Sequence, residues 1–323
     1  METIQQYKQR VLDGALLTKE EALQLSEMPL EELCQAADEI RKAFCGNQFD
    51  LCTIINGKSG RCSEDCKYCA QSAWYQTAAD SYPLLPTESL LEQAAYNDQK
   101  GVPRYSIVTS GRCLNQQEID QVCDSIGVIK RETDVSVCVS FGLLHEDQFR
   151  QLKAAGVSRI HNNLESSRRY FAEVCTTHSY DDKIQTIQAA QRAGLTVCSG
   201  GIVGLGETME DRIDLALTLR ELGIRSIPVN MLNPIPGTPY EHNQRLTNAD
   251  LCRIVAVFRF LLPDAFIRMA GGRGLLSDKG RSCFCSGANA AISGDMLTTS
   301  GITIEQDMQM LRELHYEVVQ VHD

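Results

Sequence analysis

Short apolar segments alternate with amphipathic segments through most of this 323-residue chain. Apolar runs predict seven clear strands and a weak eighth, at 51–55, 104–109, 135–141, 157–164, 195–203, 224–232, 265–270 and Met296–Thr298. Amphipathic runs predict helices that alternate with them, at 87–100, 115–131, 145–155, 180–193, 207–222, 247–262 and 303–316. Strands that alternate with helices pair in parallel. The pattern therefore predicts an α/β fold, a (β/α)8 TIM-type barrel.

The chain before the first predicted strand reads as helical. Thr18 and Glu21 have the spacing of a helix capping box, and apolar residues from Leu30 to Phe44 recur on one face. We therefore expect an N-terminal helical extension at 1–50 and a barrel with a C-terminal tail at 51–323.

A doubly wound open sheet is the alternative fold. It calls for a glycine-rich phosphate turn after the first strand, and a long cysteine-containing loop stands there instead. The later string GGIVGLGET has its glycines in the order GxxGxG and follows a mid-chain strand. It is a weak match to a dinucleotide fingerprint, so the barrel is favoured.

Charge and composition exclude several classes of partner. The net charge is −11 and no cluster of Lys and Arg is present, which argues against nucleic acid. The first residues lack the apolar core of a secretory signal, and the apolar run at 254–263 is short and interrupted by Arg259. We expect a cytoplasmic protein that does not bind membranes. Its 14 cysteines are then metal ligands or buried thiols, because disulfides are rare in that compartment.

The segment Cys62-Ser-Glu-Asp-Cys66-Lys-Tyr-Cys69 offers three thiols in a short loop. Three thiolates leave one iron of a 4Fe–4S cluster open, and an open iron can bind a small molecule. The alternatives are a zinc knuckle or three unrelated buried cysteines. Zinc asks for a fourth Cys or His at short range, and the next histidine in sequence is His145. An iron–sulfur cluster is therefore favoured.

Polar residues also fall near the carboxyl ends of the predicted strands, where a parallel barrel places its chemistry. Arg268 is the clearest case, because a guanidinium between Ile267 and Met269 is costly unless a negative group meets it. The others are Thr109, Ser110, Cys138, His161, Asn163, Glu165, Cys198 and Asn230.

These motifs resemble those of a known enzyme family. The CxxxCxxC segment with an aromatic residue before its last cysteine resembles the signature of radical S-adenosylmethionine (SAM) enzymes. The wider set resembles biotin synthases: GRCSEDCKYCAQSAWY, HNNLESS, VCSGGIVGLGET, PVNMLNPIPGTP, IRMAGGRG and CFCSGANA. The resemblance covers residues 51–300 and implies sulfur insertion between the methyl and methylene carbons of dethiobiotin, which forms biotin.

The resemblance also implies the cofactors and partners. A 4Fe–4S cluster on Cys62, Cys66 and Cys69 would chelate SAM. An electron from a donor of the flavodoxin or ferredoxin type would release methionine and a 5′-deoxyadenosyl radical, once for each C–S bond. A homodimer is expected on the same ground.

Roles for binding residues follow from matched motif positions. Tyr68 and Ile202 would contact the adenosine part of SAM, and Lys183 its carboxylate. Glu165 stands where the family usually has a shorter aspartate near the ribose. The amides expected to bind the ureido ring of dethiobiotin are Asn163 and Asn230.

The family also has a second, auxiliary iron–sulfur cluster, and at its ligand positions this sequence departs from the common pattern. The common pattern is a 2Fe–2S cluster held by three cysteines and an arginine, but Ser106 replaces one cysteine here. Arg268 matches the arginine and is the predicted catalytic residue, beside the cluster rather than as a ligand. CFC at 283–285 adds a thiol that the common pattern lacks. We therefore predict a 4Fe-type cluster with an extra sulfide, bound by three or four of Cys138, Cys198, Cys283 and Cys285.

Two other functions remain open at this point. One is a barrel enzyme of the hydrogenase-maturase or methylornithine-synthase type, which shares the cysteine triad but does not insert this sulfur. The other is a metal-binding or redox-carrier protein without SAM chemistry.

Overall fold

The computed structural model describes residues 2–321, and its centre is a closed barrel of parallel strands. The strands are β1 (Gln48–Lys58), β2 (Arg104–Thr109), β3 (Ser136–Ser140), β4 (Val157–His161), β5 (Thr196–Cys198), β6 (Gly201–Val203), β7 (Ser226–Met231), β8 (Phe266–Met269), β9 (Ala290–Ser293) and β10 (Glu317–Val318). Pairing runs β1–β2–β3–β4–β5–β7–β8–β9, β6 also pairs with β7, and β9 returns to β1. The predicted barrel is confirmed, and the open sheet is excluded.

Helices surround the barrel. They are α1 (Ile4–Leu12), α2 (Lys19–Ser26), α3 (Leu30–Cys45), α4 (Thr87–Gln99), α5 (Gln116–Glu132), α6 (Glu146–Ala155), α7 (Phe171–Val174), α8 (Tyr180–Arg192), α9 (Met209–Glu221), α10 (Asn248–Leu261), α11 (Arg281–Phe284) and α12 (Ile304–Glu313). The seven helices predicted after residue 51 are confirmed, and the one-turn helices α7 and α11 were not predicted. Thr18 caps α2 as predicted, and Ser179 caps α8 in the same way. No helix within residues 2–321 is long and apolar enough to cross a membrane.

Two strand predictions need correction. The eighth barrel strand is β9, not Met296–Thr298, which lies in the loop that follows it. The run at 195–203 is interrupted and forms both β5 and β6. A Cβ atom at Gly200 would lie 1.9 Å from the carbonyl oxygen of Pro228, so the backbones approach there as only glycine allows.

The N-terminal helices cover one side of the barrel. Helix α3 packs on α10, and α2 packs on α9. Lys19 Nζ lies 2.8 Å from an Asp214 carboxylate oxygen, and Arg220 donates to the Leu17 carbonyl oxygen over 3.0 Å. The side chains of this layer share one hydrophobic core with the barrel helices. The first strand begins at Gln48, and a domain boundary at residue 50 stays a prediction.

The C-terminal segment closes the amino end of the barrel. Strand β10 pairs in parallel with the start of β1. Arg104 Nη2 then donates to the Val321 carbonyl oxygen over 2.8 Å. Helix α12 is fixed by Arg273 and Asp307, both buried, through two hydrogen bonds of 2.8 and 2.6 Å.

A buried group of charges joins four strands at the same end of the lumen. Asp50 Oδ2 lies 2.5 Å from Arg268 Nη2 and 3.0 Å from Arg159 Nη1, and Asp50 Oδ1 lies 3.7 Å from Arg104 Nε. All four side chains are buried. Burial alone would raise the pKa of Asp50, but Arg268, Arg159 and Arg104 outweigh it and hold the pKa at about 2. One carboxylate thus links β1 to β2, β4 and β8.

We expect Asp50→Asn to lower the free energy of unfolding by about 3–5 kcal/mol, because it leaves buried guanidinium groups without their carboxylate. Urea denaturation of the cluster-free protein near neutral pH measures this. The folded-state pKa of about 2 lies below the ordinary value of an aspartate side chain, 3.8. The stabilisation by Asp50 is therefore present above about pH 4 and is lost as the pH falls towards 2.

The control is Asp264→Asn, which removes the exposed partner of Arg225, 3.1 Å away at the same end of the barrel. It should cost less than about 1 kcal/mol. Equal, small losses in both variants would contradict the importance of the buried group.

Candidate active site

A cavity of about 370 Å³ opens at the carboxyl ends of the barrel strands. This volume is typical of small-molecule sites. Every barrel strand contributes to its wall, through Cys52, Ser106, Cys138, His161, Cys198, Ile202, Asn230, Arg268 and Ile292. The structure thus gathers polar residues from strands far apart in sequence around one cavity.

The three-cysteine segment lies in the loop that follows β1. Cys62 N donates to Gln71 O over 2.9 Å, and Cys62 O accepts from Ala73 N over 2.8 Å, so the loop turns back on itself. Cys69 N donates to Cys66 O over 3.0 Å within this turn. Cys62 and Cys69 both line the cavity. The loop therefore presents thiols to the carboxyl end of the barrel.

Cys66 lies beside two other side chains of a type that can bind metal, Cys175 and His178. The ligand atoms of Cys66, Cys175 and His178 all lie within 4.8 Å of one another. Cys175 follows α7 and His178 precedes α8, so tertiary folding, rather than sequence spacing, brings them to Cys66. No sequence pattern pointed to either residue. The contact between the two thiols raises the pKa of Cys66 and lowers that of Cys175, because one proton is shared between two sulfur atoms.

This group bears on the zinc alternative. Two thiols and an imidazole are chemically suited to zinc, and His178 supplies the histidine that was absent at short range in the sequence. Cys62 and Cys69, however, face the cavity rather than this group. A zinc site here would use one thiol of the loop and leave its regular spacing unexplained.

Tyr68, Glu165 and Ile202 meet at the cavity wall. Tyr68 and Ile202 pack with Leu205 and Leu232 in a small apolar cluster. Burial, and then the charge of Glu165, raises the pKa of Tyr68. Glu165 is buried with a left-handed backbone (φ 69°), and its Oε2 has no hydrogen-bond partner. An apolar face beside a buried oxygen that lacks a donor fits a nucleoside with a ribose hydroxyl.

Lys183 lies on α8, outside the cavity wall. Contact with Cys175 and burial raise the pKa of Cys66, and against the effect of burial the contacts with Cys175 and Glu64 raise the pKa of His178. The positive charge of Lys183 opposes both rises. The structure therefore places this cation beside the three-cysteine loop, where an anionic group of a bound ligand would be stabilised.

The two asparagines predicted to bind substrate are held by backbone groups. Asn163 Oδ1 accepts from Gly200 N over 3.0 Å. Asn230 Oδ1 accepts from Gly271 N over 2.9 Å, and Asn230 Nδ2 donates to Gly201 O over 3.1 Å. Both amides line the cavity. These bonds fix the orientation of each amide and leave Asn163 with two N–H donors and Asn230 with one.

Three thiols lie together deeper in the cavity, on β1, β3 and β5. They are Cys52, Cys138 and Cys198, all buried. Arg268 Nη1 lies 3.3 Å from Cys52 Sγ, and Ser226 Oγ lies 3.2 Å from Cys198 Sγ. No motif pointed to Cys52, although the period-two alternation of β1 places it on the same face as Asp50.

The three thiols differ in acidity. Burial and then Cys198 raise the pKa of Cys138 to about 12, and burial likewise raises that of Cys52. Burial opposes ionisation of Cys198 too, but hydrogen bonding to His161 and the charge of Arg268 lower its pKa to about 7. Thiols must lose their protons to bind metal, so Cys198 is the most readily ionised of this group.

The structure does not bring Cys283 and Cys285 to this cavity. Cys283 is fully buried on α11, where its thiol contacts Cys252 of α10. Cys285 is exposed on the outer surface near Asp38. Both lie among the outer helices, because the CFC segment forms α11 instead of continuing β8 into the lumen. The prediction that they join Cys138 and Cys198 must therefore be corrected, and Cys52 occupies the place expected for them.

Two family models match the chain. The model described as Radical SAM superfamily matches residues 58–219, and that described as Biotin and Thiamin Synthesis associated domain matches residues 228–317. The first covers the three-cysteine loop, the strands that carry Cys138 and Cys198, and Asn163, which follows β4. The second covers the strands that carry Asn230 and Arg268.

Curated relatives extend this likeness over nearly the whole chain. The biotin synthases of Brachyspira hyodysenteriae and Akkermansia muciniphila are both 60% identical to it, over 98% and 96% of this chain and 95% and 96% of theirs. The biotin synthase of Clostridium botulinum strain Hall is 53% identical over 98% of this chain and all of its own length.

Solved structures confirm the fold at much lower identity. Methylornithine synthase superposes with a TM-score of 0.84 at 18% identity, over 97% of both chains. The hydrogenase maturase HydG superposes with a TM-score of 0.81 at 17% identity, over 97% of this chain and 74% of its own. These likenesses concern the fold alone. On the sequence identities and the two matched domains, the chain belongs to the biotin synthase family of radical SAM enzymes.

Proposed function

We propose that the chain inserts sulfur into dethiobiotin to form biotin, with SAM as the source of the hydrogen-abstracting radical. The observation that carries this proposal is the pair of thiol sets on one cavity. Thiols of the three-cysteine loop line its mouth, and Cys52, Cys138 and Cys198 line its depth. The first set serves radical generation and the second serves sulfur supply. A redox carrier would need neither the second set nor the amide-lined cavity between them.

Cys62, Cys66 and Cys69 are proposed to hold the 4Fe–4S cluster, which when bound supplies the electron that cleaves SAM. The protein's part is to hold SAM in one orientation. Tyr68 and Ile202 present an apolar face to its adenine. The free Oε2 of Glu165 accepts from the ribose, and Lys183 attracts the carboxylate.

Replacing Cys66 with Ala should abolish formation of 5′-deoxyadenosine, because the cluster would lose one of three protein ligands. The assay uses anaerobically reconstituted protein, SAM and dithionite, with product measured by chromatography. The control is Cys123→Ala, a partly buried cysteine on α5 far from the loop. SAM cleavage at the normal rate by the Cys66→Ala protein would contradict the assignment.

Asn163 and Asn230 are proposed to bind the ureido ring of dethiobiotin. Their amides lie on β4–β5 and β7 sides of the cavity, already oriented by backbone hydrogen bonds. The remaining N–H donors suit the ring carbonyl, and the second lone pair of each oxygen suits a ring N–H. With the ring bound there, the saturated carbons of the substrate would lie between the two thiol sets.

The double variant Asn163→Ala, Asn230→Ala should weaken dethiobiotin binding by about 1–3 kcal/mol for each hydrogen bond lost. Equilibrium binding to the reconstituted protein with SAM present measures the effect. Asn243→Ala is the control, since that amide binds the carbonyl oxygens of Gly204 and Leu205 and is absent from the cavity wall. Unchanged affinity in the double variant would remove both amides from the substrate site.

The auxiliary cluster is proposed to be a 4Fe type that carries the extra sulfide to be inserted, held by Cys52, Cys138 and Cys198. Ser106 lines the cavity in register with Cys138. A neutral hydroxyl is a poor iron ligand, because it lacks the low pKa and softness of a thiol. Three thiols and an open iron suit a cluster that binds an additional sulfide. Arg268, which contacts Cys52, then stabilises an anionic cluster without binding iron.

Iron analysis tests this proposal. Two 4Fe clusters predict about eight irons per chain, against about six if the auxiliary cluster is a 2Fe type. Cys52→Ala should lower the count towards four, whereas Cys285→Ala should leave it unchanged, because that thiol lies on the outer surface. A count of six, or equal losses in both variants, would contradict the ligand set.

Two partners are proposed from the family resemblance. A one-electron donor of the flavodoxin or ferredoxin type would reduce the cluster on the three-cysteine loop. A second copy of the chain would complete a homodimer.

A further inference from the structure

Cys66, Cys175 and His178 form a group of side chains of a type that can bind metal, beside the three-cysteine loop. Their ligand atoms all lie within 4.8 Å of one another, and none of the three residues lines the cavity. The Cys175 sulfur lies 3.3 Å from His178 Nδ1. Tetrahedral zinc, with bonds of about 2.3 Å to sulfur and about 2.0 Å to nitrogen, holds such a pair of ligands about 3.5 Å apart. The group is therefore close to the spacing that zinc requires.

Hydrogen bonds around this group hold its members together. Asp65 accepts from Thr176 N over 2.8 Å and from Thr177 N over 3.1 Å. Glu64 Oε2 lies 2.6 Å from His178 Nδ1. These contacts fasten the three-cysteine loop to the segment that follows α7, so the three ligands are gathered by the protein fold itself. The two carboxylates also place negative charge beside the group, which favours a doubly charged cation.

We propose that the chain, before it receives its SAM cluster, binds one zinc ion through Cys66, Cys175 and His178. Each thiol releases its proton to water as it binds the ion, and no electron is transferred. A water molecule completes the tetrahedron, as in other zinc sites with three protein ligands. The site uses only one thiol of the loop, so the spacing of Cys62, Cys66 and Cys69 is still explained by the cluster.

Zinc and the SAM cluster exclude each other, because both need the Cys66 sulfur. Zinc binding does not depend on the proposed function. The exclusion does rest on it, since it requires Cys66 to be a cluster ligand. Zinc that reaches the chain before iron and sulfide therefore delays formation of the active enzyme.

The test uses cobalt(II) as a coloured probe for zinc in the cluster-free, reduced full-length protein. One cobalt ion should bind per chain with the absorption of a tetrahedral, thiolate-ligated site, and zinc should displace it. Cys175→Ser and His178→Asn should each weaken binding by at least about 100-fold, because a lost ligand costs more than the loss of a group behind a ligand. Cys69→Ala is the matched control. It removes a thiol of the same loop that faces the cavity instead, and it should bind cobalt as the unchanged protein does.

Cobalt binding that survives Cys175→Ser and is lost in Cys69→Ala would overturn the proposal, because the metal would then be held by the loop alone. Failure of the unchanged protein to bind one cobalt ion would overturn it too. Circular dichroism of each variant separates loss of a ligand from loss of the fold.

Competition with cluster assembly tests the consequence. One equivalent of zinc, added before anaerobic reconstitution, should lower the iron content of the unchanged protein by about four per chain. Cys175→Ser should retain its iron at the same zinc concentration. If cobalt binds with the proposed ligands but zinc leaves the iron content unchanged, the zinc site stands and Cys66 is not a cluster ligand. That outcome contradicts the proposed function and not this inference.

Discussion

The ion pairs of Asp50 fix the positions of the arginines at the base of the cavity. Its carboxylate joins arginines from β2, β4 and β8 at the amino end of the lumen. Arg268 is thereby held with one guanidinium nitrogen on Asp50 and the other 3.3 Å from the Cys52 sulfur. The cost of burying the Arg268 guanidinium among apolar residues is therefore offset by the Asp50 carboxylate, without any contribution from a cluster. Asp50 and Cys52 are two residues apart on β1, so their side chains lie on the same face of the strand. The one strand therefore carries both the buried carboxylate at the amino end of the lumen, here called the floor of the cavity, and the thiol next to it.

Strand β1 also connects the floor to the mouth of the cavity. It runs from Asp50 through Cys52 and continues directly into the loop that bears Cys62, Cys66 and Cys69. Strand β1 therefore carries one thiol of the deeper set and leads into the loop that bears the other set, and the amides of Asn163 and Asn230 line the cavity as well. A radical made at the mouth would meet substrate carbons inside a closed wall, which limits its reaction with water. Strands β1, β3 and β5, rather than loops, carry the deeper thiols Cys52, Cys138 and Cys198.

Sequence pattern was sufficient for the barrel because period-two and period-3.6 hydrophobicity are local properties. The pattern did not predict β9, because Ala290 and Ala291 are too weakly hydrophobic to distinguish this strand from the small residues that precede it. The three-cysteine loop was recognisable because its thiols are close in sequence. Cys175 and His178 were not, since they reach Cys66 only through tertiary packing. The prediction that Cys283 lies near the cavity was wrong because it relied on closeness to β8 in the sequence. The single helical turn of α11 places that thiol away from the lumen.

The register of the strands supports the ligand set proposed around Ser106. Ser106 of β2 lies opposite Cys138 of β3, and Cys52 of β1 lies opposite Arg104, two residues earlier on β2. In the proposed ligand set, Cys52 on the adjacent strand therefore stands in for the thiol absent from β2, two residues nearer the amino end of the barrel. That shift brings the new thiol against Arg268. Because Arg268 already contacts Asp50 and the Cys52 sulfur, it has little freedom to bind iron as well, which supports the proposed cluster held by thiolates alone.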